Sequence, residues 1–108
     1  MFKKYNLDGY KELLPGVGIK SLVHGKKTHM TRVILTEGSV IPNHDHIHEQ
    51  TGILLSGRII LQINDDTFEV EPGDHWCIPG STPHSAQAIE RSEIIEVFSP
   101  IRNDYLAL

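Results

Sequence analysis

The chain has 108 residues, which suits one domain and is too short for two independent hydrophobic cores. Hydrophobic residues make up 39% of it, enough for a packed core, so global disorder is excluded. Ten basic against fourteen acidic residues give a net charge of -4, the wrong sign for gripping phosphate backbones, and we expect no nucleic-acid partner. The one unusual feature of the composition is its seven histidines, which indicate a metal or acid/base site.

From the sequence we expect no targeting or membrane-spanning segment. Lys3 and Lys4 are followed by no apolar run that could serve as a signal peptide, and other apolar stretches fall far short of the ~20 residues of a spanning helix. Cys77 is the only cysteine, so no disulfide can form within the chain, which fits a reducing compartment. We therefore expect a cytoplasmic protein without a membrane partner, and Cys77 as a buried strand residue without chemistry.

The predicted elements begin with the only helix candidate, residues 8–14, where Asp8 can cap a turn that Pro15 ends. The glycine- and lysine-rich segment from about 16 to 29 has a weak strand signal, which favours an edge strand or a dimer-contact arm. Short β-branched and aliphatic runs separated by regular turn signals then predict strands. These runs cover residues 31–36, 52–55, 58–63, 67–71, 75–78 and 94–98.

Many short strands with regular turns predict an all-β barrel or sandwich with at most one short helix. The clearest hairpin runs from Ile59 to Glu71, where two alternating runs flank the turn-forming residues 64–66. We expect one domain over 1–108, with an N-terminal arm of about 1–29, a barrel of about 30–100 and a tail of 101–108. Apolar residues on both strand faces, as in 59–61, predict a homodimer, which sedimentation would test.

Four of the histidines fall in two places, 44–48 and 84. Residues two apart in a strand share a face, so His44 and His46 can direct both imidazoles at one metal. Pro83 biases the residue before it toward an extended conformation just ahead of His84, and a third imidazole from a distant strand would close a three-histidine site. Solvated loop histidines are the alternative interpretation.

The spacing around these histidines matches two motifs of the cupin superfamily. The first motif consists of Gly38, His44, His46, Gln50 and Gly57, and the second of Gly73, Pro79 and His84. The resemblance implies a single cupin β-barrel, also called a double-stranded β-helix or jelly roll, with one divalent metal between the motifs. It also implies the metal ligands His44, His46, Gln50 and His84. Gln50 stands where the family most often has Glu, and Ser81 where the second motif usually has a glycine.

Gln50 is the fourth ligand that the motif indicates, while His48 and Glu49 remain alternatives. A neutral amide beside three neutral imidazoles leaves the charge of the cation uncompensated, which strengthens it as a Lewis acid. Such a ligand set accommodates Zn, Ni, Fe, Mn or Co, so the metal stays open. His24, His29 and His75 lie outside the motifs, and we expect them at surface or satisfied strand positions, with Trp76 in core or rim packing.

The C-terminal run carries a second group of candidates. Glu96 and Phe98 are two apart on a predicted strand and share a face, and Arg102 follows just after Pro100. If that face looks into the barrel, an acid/base carboxylate, an apolar wall and a carboxylate-binding guanidinium surround the metal. A half-buried edge strand with a solvated tail is the alternative.

Together with the run from His44 to Gln50, this tail resembles the KdgF family, small cupins that linearise unsaturated uronates released by pectin and alginate lyases. The resemblance implies catalytic roles for Glu96, Phe98 and Arg102, with Glu96 where the family typically has Asp. The expected function is a metal-dependent isomerase that opens the ring of 4,5-unsaturated uronates, with a small carboxylated sugar as substrate. A quercetinase-like cupin dioxygenase and a non-catalytic metal- or sugar-binding module are the alternatives.

Overall fold

The computed structural model describes all of residues 1–108 and contains ten strands and one short helix. The strands are β1 (Lys11–Leu14), β2 (Val17–His24), β3 (His29–Leu35), β4 (Val40–His44), β5 (Glu49–Ser56), β6 (Ile59–Ile63), β7 (Asp66–Val70), β8 (His75–Ile78), β9 (His84–Ala88) and β10 (Ser92–Ser99). The helix α1 is Asn103–Leu106. No helix is long and apolar enough to cross a membrane.

The strands form two antiparallel sheets that enclose one core. The six-stranded sheet has the order β1-β2-β3-β10-β5-β8, and the four-stranded sheet has the order β4-β9-β6-β7. Both sheets contribute to one cluster of eleven buried hydrophobic side chains, including Leu35 and Leu54 from the first and Ile59 and Leu61 from the second. The predicted all-β fold with one short helix is confirmed.

Alternation along each strand decides which side chains reach the core. In β3 every second residue from His29 to Leu35 is buried, as a period of two on a half-buried strand requires. The predicted hairpin is confirmed, because β6 and β7 pair in register from Ile59 opposite Val70 to Ile63 opposite Asp66. Asn64 turns the chain there with a φ of 52°, in the left-handed region that Asn tolerates better than most residues.

Two expectations for the N-terminal part are wrong. Residues 11–14 form strand β1 instead of a helix, because their backbone pairs with β2 across a turn at Gly16, and so short a segment does not nucleate a helix alone. The only helix lies at Asn103–Leu106. The segment from 16 to 29 does not form an edge strand either, since β2 lies between β1 and β3 and β1 forms the edge. The alternative of a dimer-contact arm there stays a prediction.

Cys77 is also not the buried residue that the sequence predicts. It is exposed, because alternation on β8 turns Trp76 and Ile78 inward and Cys77 outward, and β8 is the outer strand of its sheet. The expected homodimer and the division into arm, barrel and tail stay predictions.

Candidate metal centre and cavity

Three histidines meet where β4 and β9 pair. His44 ends β4 and lies directly opposite His84, the first residue of β9, and His46 lies in the loop that follows β4. One ring nitrogen from each of the three lies within 4.8 Å of the others. The structure therefore brings together the three imidazoles that the two motifs indicate, from strands forty residues apart in sequence.

Backbone contacts leave the same nitrogen of each ring free. The Nδ1 atoms of His44, His46 and His84 lie 2.8, 3.0 and 2.7 Å from backbone carbonyl oxygens two residues away. A carbonyl only accepts, so each Nδ1 carries the proton and each Nε2 keeps its lone pair. Burial lowers the pKa of His46 to about 4 and the pKa of His84 below its ordinary value, so both rings are neutral near pH 7, as metal ligation requires.

Gln50 offers an oxygen to the same cavity. It is 5% exposed on β5, its Nε2 donates a hydrogen bond to Glu96 Oε2 at 2.9 Å, and its Oε1 is buried without a partner. The Nε2 of His46 is likewise buried without a partner. Buried acceptors are normally satisfied, so these two free acceptors are suited to a bound cation. The residues present therefore fit a divalent metal bound by imidazole nitrogens and one amide oxygen.

The two alternatives to Gln50 are placed less favourably. Glu49 precedes it on β5, and alternation leaves its side chain exposed on the opposite face, where Cys77 Sγ lies 3.7 Å from its Oε1. His48 is half-buried, with its ring 5.4 Å from the ring of His46 and edge-on to it. Neither residue lines the cavity that holds the three histidines.

This cavity has a volume of about 360 Å³ and lies between the two sheets. Ten of its 18 lining residues are hydrophobic, among them Leu14, Ile19 and Leu61. The cavity has few polar lining residues. They are the three histidines, Gln50, Ser85, Glu96, Arg102 and Tyr105. A largely apolar cavity with a few convergent polar groups is the usual form of a small-molecule site.

Glu96 and Phe98 both line the cavity, as two residues on one face of β10 should. The alternative of an edge strand is wrong, because β10 lies between β3 and β5 in the middle of its sheet. Burial raises the pKa of Glu96 to about 7, against the opposing effects of its hydrogen-bond donors and of Arg102. A carboxyl with such a pKa is populated both with and without its proton near neutral pH.

Arg102 is buried, at 8% exposed, so the alternative of a solvated tail is wrong for this residue, although most of residues 103–108 are exposed. Its Nε and Nη2 bind the carboxylate of Asp104 at 3.0 and 2.7 Å, and its guanidinium carbon lies 3.9 Å from the ring centroid of Tyr105. Its Nη1 is buried without a partner. The guanidinium is thus held by two neighbours and keeps one nitrogen for an anionic or carbonyl ligand.

Sequence reasoning missed the groups that hold these side chains in place. The spacing of Asp104 two residues after Arg102 was the only local signal for their pairing. His29 is a satisfied strand position, as expected, but it also supports the site: it is fully buried, and its Nδ1 accepts the backbone N–H of Arg102 at 3.3 Å. The imidazole Nε2 then donates to Ser21 Oγ at 2.7 Å.

A family model described as a cupin domain matches residues 31–98, well over half of the chain. The chain belongs to the cupin family. The solved structure of KdgF from Halomonas sp. is similar to this cupin at a TM-score of 0.85, with 29% identity and 90% of each chain covered. An RmlC-like cupin from Shewanella frigidimarina superimposes at a TM-score of 0.91 with 19% identity, covering 96% of this chain and 94% of the other. The predicted cupin barrel and the resemblance to KdgF are confirmed.

Two further similar proteins are covered over a smaller share of their own length. Salicylate 1,2-dioxygenase from Pseudoaminobacter salicylatoxidans shares the fold at a TM-score of 0.77 and 17% identity, covering 81% of this cupin and 26% of that chain. The uncharacterized protein MJ1618 of Methanocaldococcus jannaschii is 32% identical over 77 residues, 66% of this chain and 62% of that protein. This cupin therefore spans less than two thirds of that curated relative.

The cupin motifs now have a structural explanation. The first spans β4 and β5, and the second spans β8 and reaches the start of β9, so the pairing of β4 with β9 brings their histidines together. Ser81, at the position where the second motif usually has glycine, has a φ of 59°. It keeps the left-handed turn that a glycine would adopt more easily.

Proposed function

We propose that this cupin is a metal-dependent isomerase that opens the ring of 4,5-unsaturated uronates. The observation that carries the proposal is the convergence in one cavity of three imidazoles with free Nε2 atoms, the Glu96 carboxyl group and the unpaired Nη1 of Arg102. The 29% identity with KdgF from Halomonas sp. over 90% of both chains supports the same activity.

Four atoms would hold the metal: the Nε2 atoms of His44, His46 and His84 and Oε1 of Gln50. When bound, a divalent cation such as Zn, Ni, Fe, Mn or Co would supply Lewis-acid stabilisation of negative charge on a substrate oxygen. Because all four ligands are neutral, the protein would leave that positive charge available to an anionic substrate.

Arg102 would bind and orient the substrate. Its free Nη1 is a donor at the cavity wall, and the contacts with Asp104 and Tyr105 keep the guanidinium from turning away. A uronate presents one carboxylate, for which a fixed guanidinium is the preferred partner. Phe98, with its ring 5.8 Å from that of His46, would exclude water from the reacting carbon atoms.

Glu96 would move the protons. Ring opening breaks the bond between C1 and the ring oxygen as the C1 hydroxyl loses a proton and the ring oxygen gains one, which yields an aldehyde and an enol. The enol becomes a ketone when its oxygen loses a proton and C4 gains one. Glu96 lies in the cavity and can accept and return each proton, so the reaction needs no co-reactant and no net proton.

The test is to mix the purified protein with an unsaturated galacturonate and follow the loss of the conjugated-alkene absorbance. Elemental analysis of protein purified without a metal-affinity step must first establish that metal is present. We expect decay much faster than the spontaneous reaction, and near-spontaneous decay for Glu96→Gln and His84→Ala. A wild-type rate equal to the spontaneous one, with metal bound, would contradict the proposal.

The same protein preparation distinguishes the alternatives. Oxygen uptake with a flavonol or diketone substrate would indicate a dioxygenase, whereas tight carboxylate binding without turnover would indicate a binding module. The small carboxylated sugar as partner is part of this proposal. The cytoplasmic location and the homodimer remain predictions from the sequence.

A further inference from the structure

We infer that Trp76 is a positioning residue that fixes which carboxylate oxygen of Glu96 faces the cavity, and that Gly52 makes this contact possible. The catalytic part of the inference rests on the proposed function, whereas the contact itself does not. Trp76 lies within the span of the second motif but is not one of its defining residues, and its indole reaches the site from the edge strand β8.

The three residues form one row across the six-stranded sheet. Gly52 of β5 pairs with Trp76 of β8 on one side and with Glu96 of β10 on the other. Side chains at directly paired positions point to the same face of a sheet. Because Gly52 has no side chain, the indole can extend across β5 and approach Glu96.

The indole occupies the space that a side chain at position 52 would need. A Cβ built on Gly52 would lie 2.5 to 2.6 Å from three indole atoms of Trp76, including Nε1. Such distances are far below van der Waals contact, so any larger residue at position 52 must displace the ring. A glycine inside a strand weakens that strand, and a close approach of this kind is a common reason for its presence.

Both nearby donors bind the same oxygen of Glu96. Trp76 Nε1 donates to Oε2 at 3.4 Å, and Gln50 Nε2 donates to the same Oε2 at 2.9 Å. No protein group donates a hydrogen bond to Oε1. With Oε2 occupied by both donors, Oε1 is the oxygen left to exchange protons with a substrate.

Packing alone does not hold the indole in this position. One side of Trp76 packs against the core cluster, but the residue also lines a second cavity of about 490 Å³ beside Phe68 and Cys77. The contacts with Gly52 and Glu96 direct its N–H inward, away from this second cavity. Of the two donors to Glu96, Gln50 would also bind the metal, whereas the indole N–H of Trp76 has Glu96 as its only hydrogen-bond partner.

The contact can be tested without any assay of activity, because Trp76 is the only tryptophan in the chain. An amide-correlation NMR spectrum of 15N-labelled protein will show one indole N–H signal. We expect Glu96→Ala to shift this signal and to speed its exchange with solvent, and Gly52→Ala to do the same. Glu93→Ala, on the same strand but paired with Arg32, is the matched control and should leave the signal in place.

The backbone amide signals in the same spectra show whether each variant is folded. If a folded Glu96→Ala variant keeps the wild-type indole shift and exchange rate, Trp76 does not contact Glu96 and the inference is overturned. This outcome is independent of whether the protein linearises uronates.

The positioning role is tested by kinetics on Trp76→Phe, which keeps an aromatic ring and loses the N–H. We expect kcat to fall about tenfold, equivalent to about 1.4 kcal/mol, with KM unchanged because Arg102 still binds the substrate. Gly52→Ala should give a similar fall, and the double variant should be no slower than the slower single variant. An unchanged kcat for Trp76→Phe would overturn the positioning role, and an inactive wild type would overturn the proposed function alone.

Discussion

The nitrogen and the oxygen of the Gln50 side-chain amide face different parts of the site. Its Nε2 donates to Glu96 and its Oε1 remains for a cation, so the amide can be bound in only one of its two orientations. A carboxylate at this position has no donor for Glu96. The amide would therefore couple the position of a bound metal to the position of the carboxyl group.

Gln50→Glu should separate metal binding from catalysis. The change brings a second carboxylate to the oxygen of Glu96 that now lies 2.9 Å from Gln50 Nε2, and two carboxylates that close cannot both be ionised. We expect the bound metal in elemental analysis to be retained and linearisation to slow at least about tenfold, the effect of one lost hydrogen bond to a charged group. Gln62→Glu, exposed on β6, is the matched control, and equal activities of the two variants would contradict this role.

Arg102→Lys should raise KM more than it lowers kcat. Lysine cannot form the two bonds to Asp104 or stack on Tyr105, so its charge is no longer held at the cavity wall. We expect KM for the uronate to rise at least about tenfold, since a hydrogen bond to a charged group contributes about 1.5–3 kcal/mol. Arg91→Lys, whose exposed guanidinium pairs with Glu93, should keep the wild-type KM. Unchanged KM in both variants would remove Arg102 from substrate binding.

At the scale of elements, two glycines of the first motif lie in turns between strands, Gly38 between β3 and β4 and Gly57 between β5 and β6. Gly57 joins β5 to β6 with a φ of +90°, and a Cβ there would lie 2.3 Å from the carbonyl oxygen of Arg91 and from Ser92 Oγ. Gly38 has a φ of +79° but open space around it. A side chain at Gly57 would therefore meet both a steric clash and an unfavourable backbone conformation, whereas one at Gly38 would meet only the unfavourable backbone conformation.

Alanine at three glycines should therefore give graded losses in the free energy of unfolding, measured by urea denaturation. We expect about 3 kcal/mol for Gly57→Ala, where a steric clash adds to the left-handed backbone, and about 1 kcal/mol for Gly38→Ala, where only the backbone opposes. Gly25→Ala is the control, since Gly25 has nothing within 4 Å and no left-handed φ, and it should stay within about 0.5 kcal/mol. Equal losses at Gly57 and Gly38 would show that the turn relaxes around the new side chain.

The elements also show what the sequence can and cannot predict. Spacing within one strand predicts a shared face, which is why the pair 96/98 and the β6–β7 hairpin were predictable. His44 and His46 do converge, but β4 ends at His44 and His46 lies in the following loop, so the expectation that both share a strand is wrong. Strand β4 was not predicted, because Pro42 and Asn43 carry no strand signal and its pairing with β9 depends on residues forty positions away. The approach of Trp76 to Glu96 across Gly52 needs the register of three strands, which no local pattern contains.

At the scale of the whole molecule, His29 connects strand β2, in the N-terminal part of the chain, to the C-terminal segment after β10. It is fully buried on β3, where its imidazole joins Ser21 of β2 to the backbone N–H of Arg102 beyond β10. Burial lowers the pKa of His29 from its ordinary value of 6.5, and the nearby His24 and Arg102 lower it further. A protonated imidazole could no longer accept the Arg102 N–H, so the anchor of the C-terminal segment depends on a neutral ring.

The depressed pKa of His29 predicts that the protein loses stability in acid. As pH falls below about 6.5 the unfolded chain binds a proton that the folded chain resists, so the free energy of unfolding decreases. Urea unfolding of chelator-treated protein between pH 7.5 and 5.5 should show this decrease, and His29→Gln should show a smaller one. The remaining slope comes from other histidines such as the half-buried His46, whose pKa is also lowered. His75→Gln, exposed on β8, should keep the full wild-type slope, and an equally full slope in His29→Gln would mean that the titration of His29 is not linked to folding.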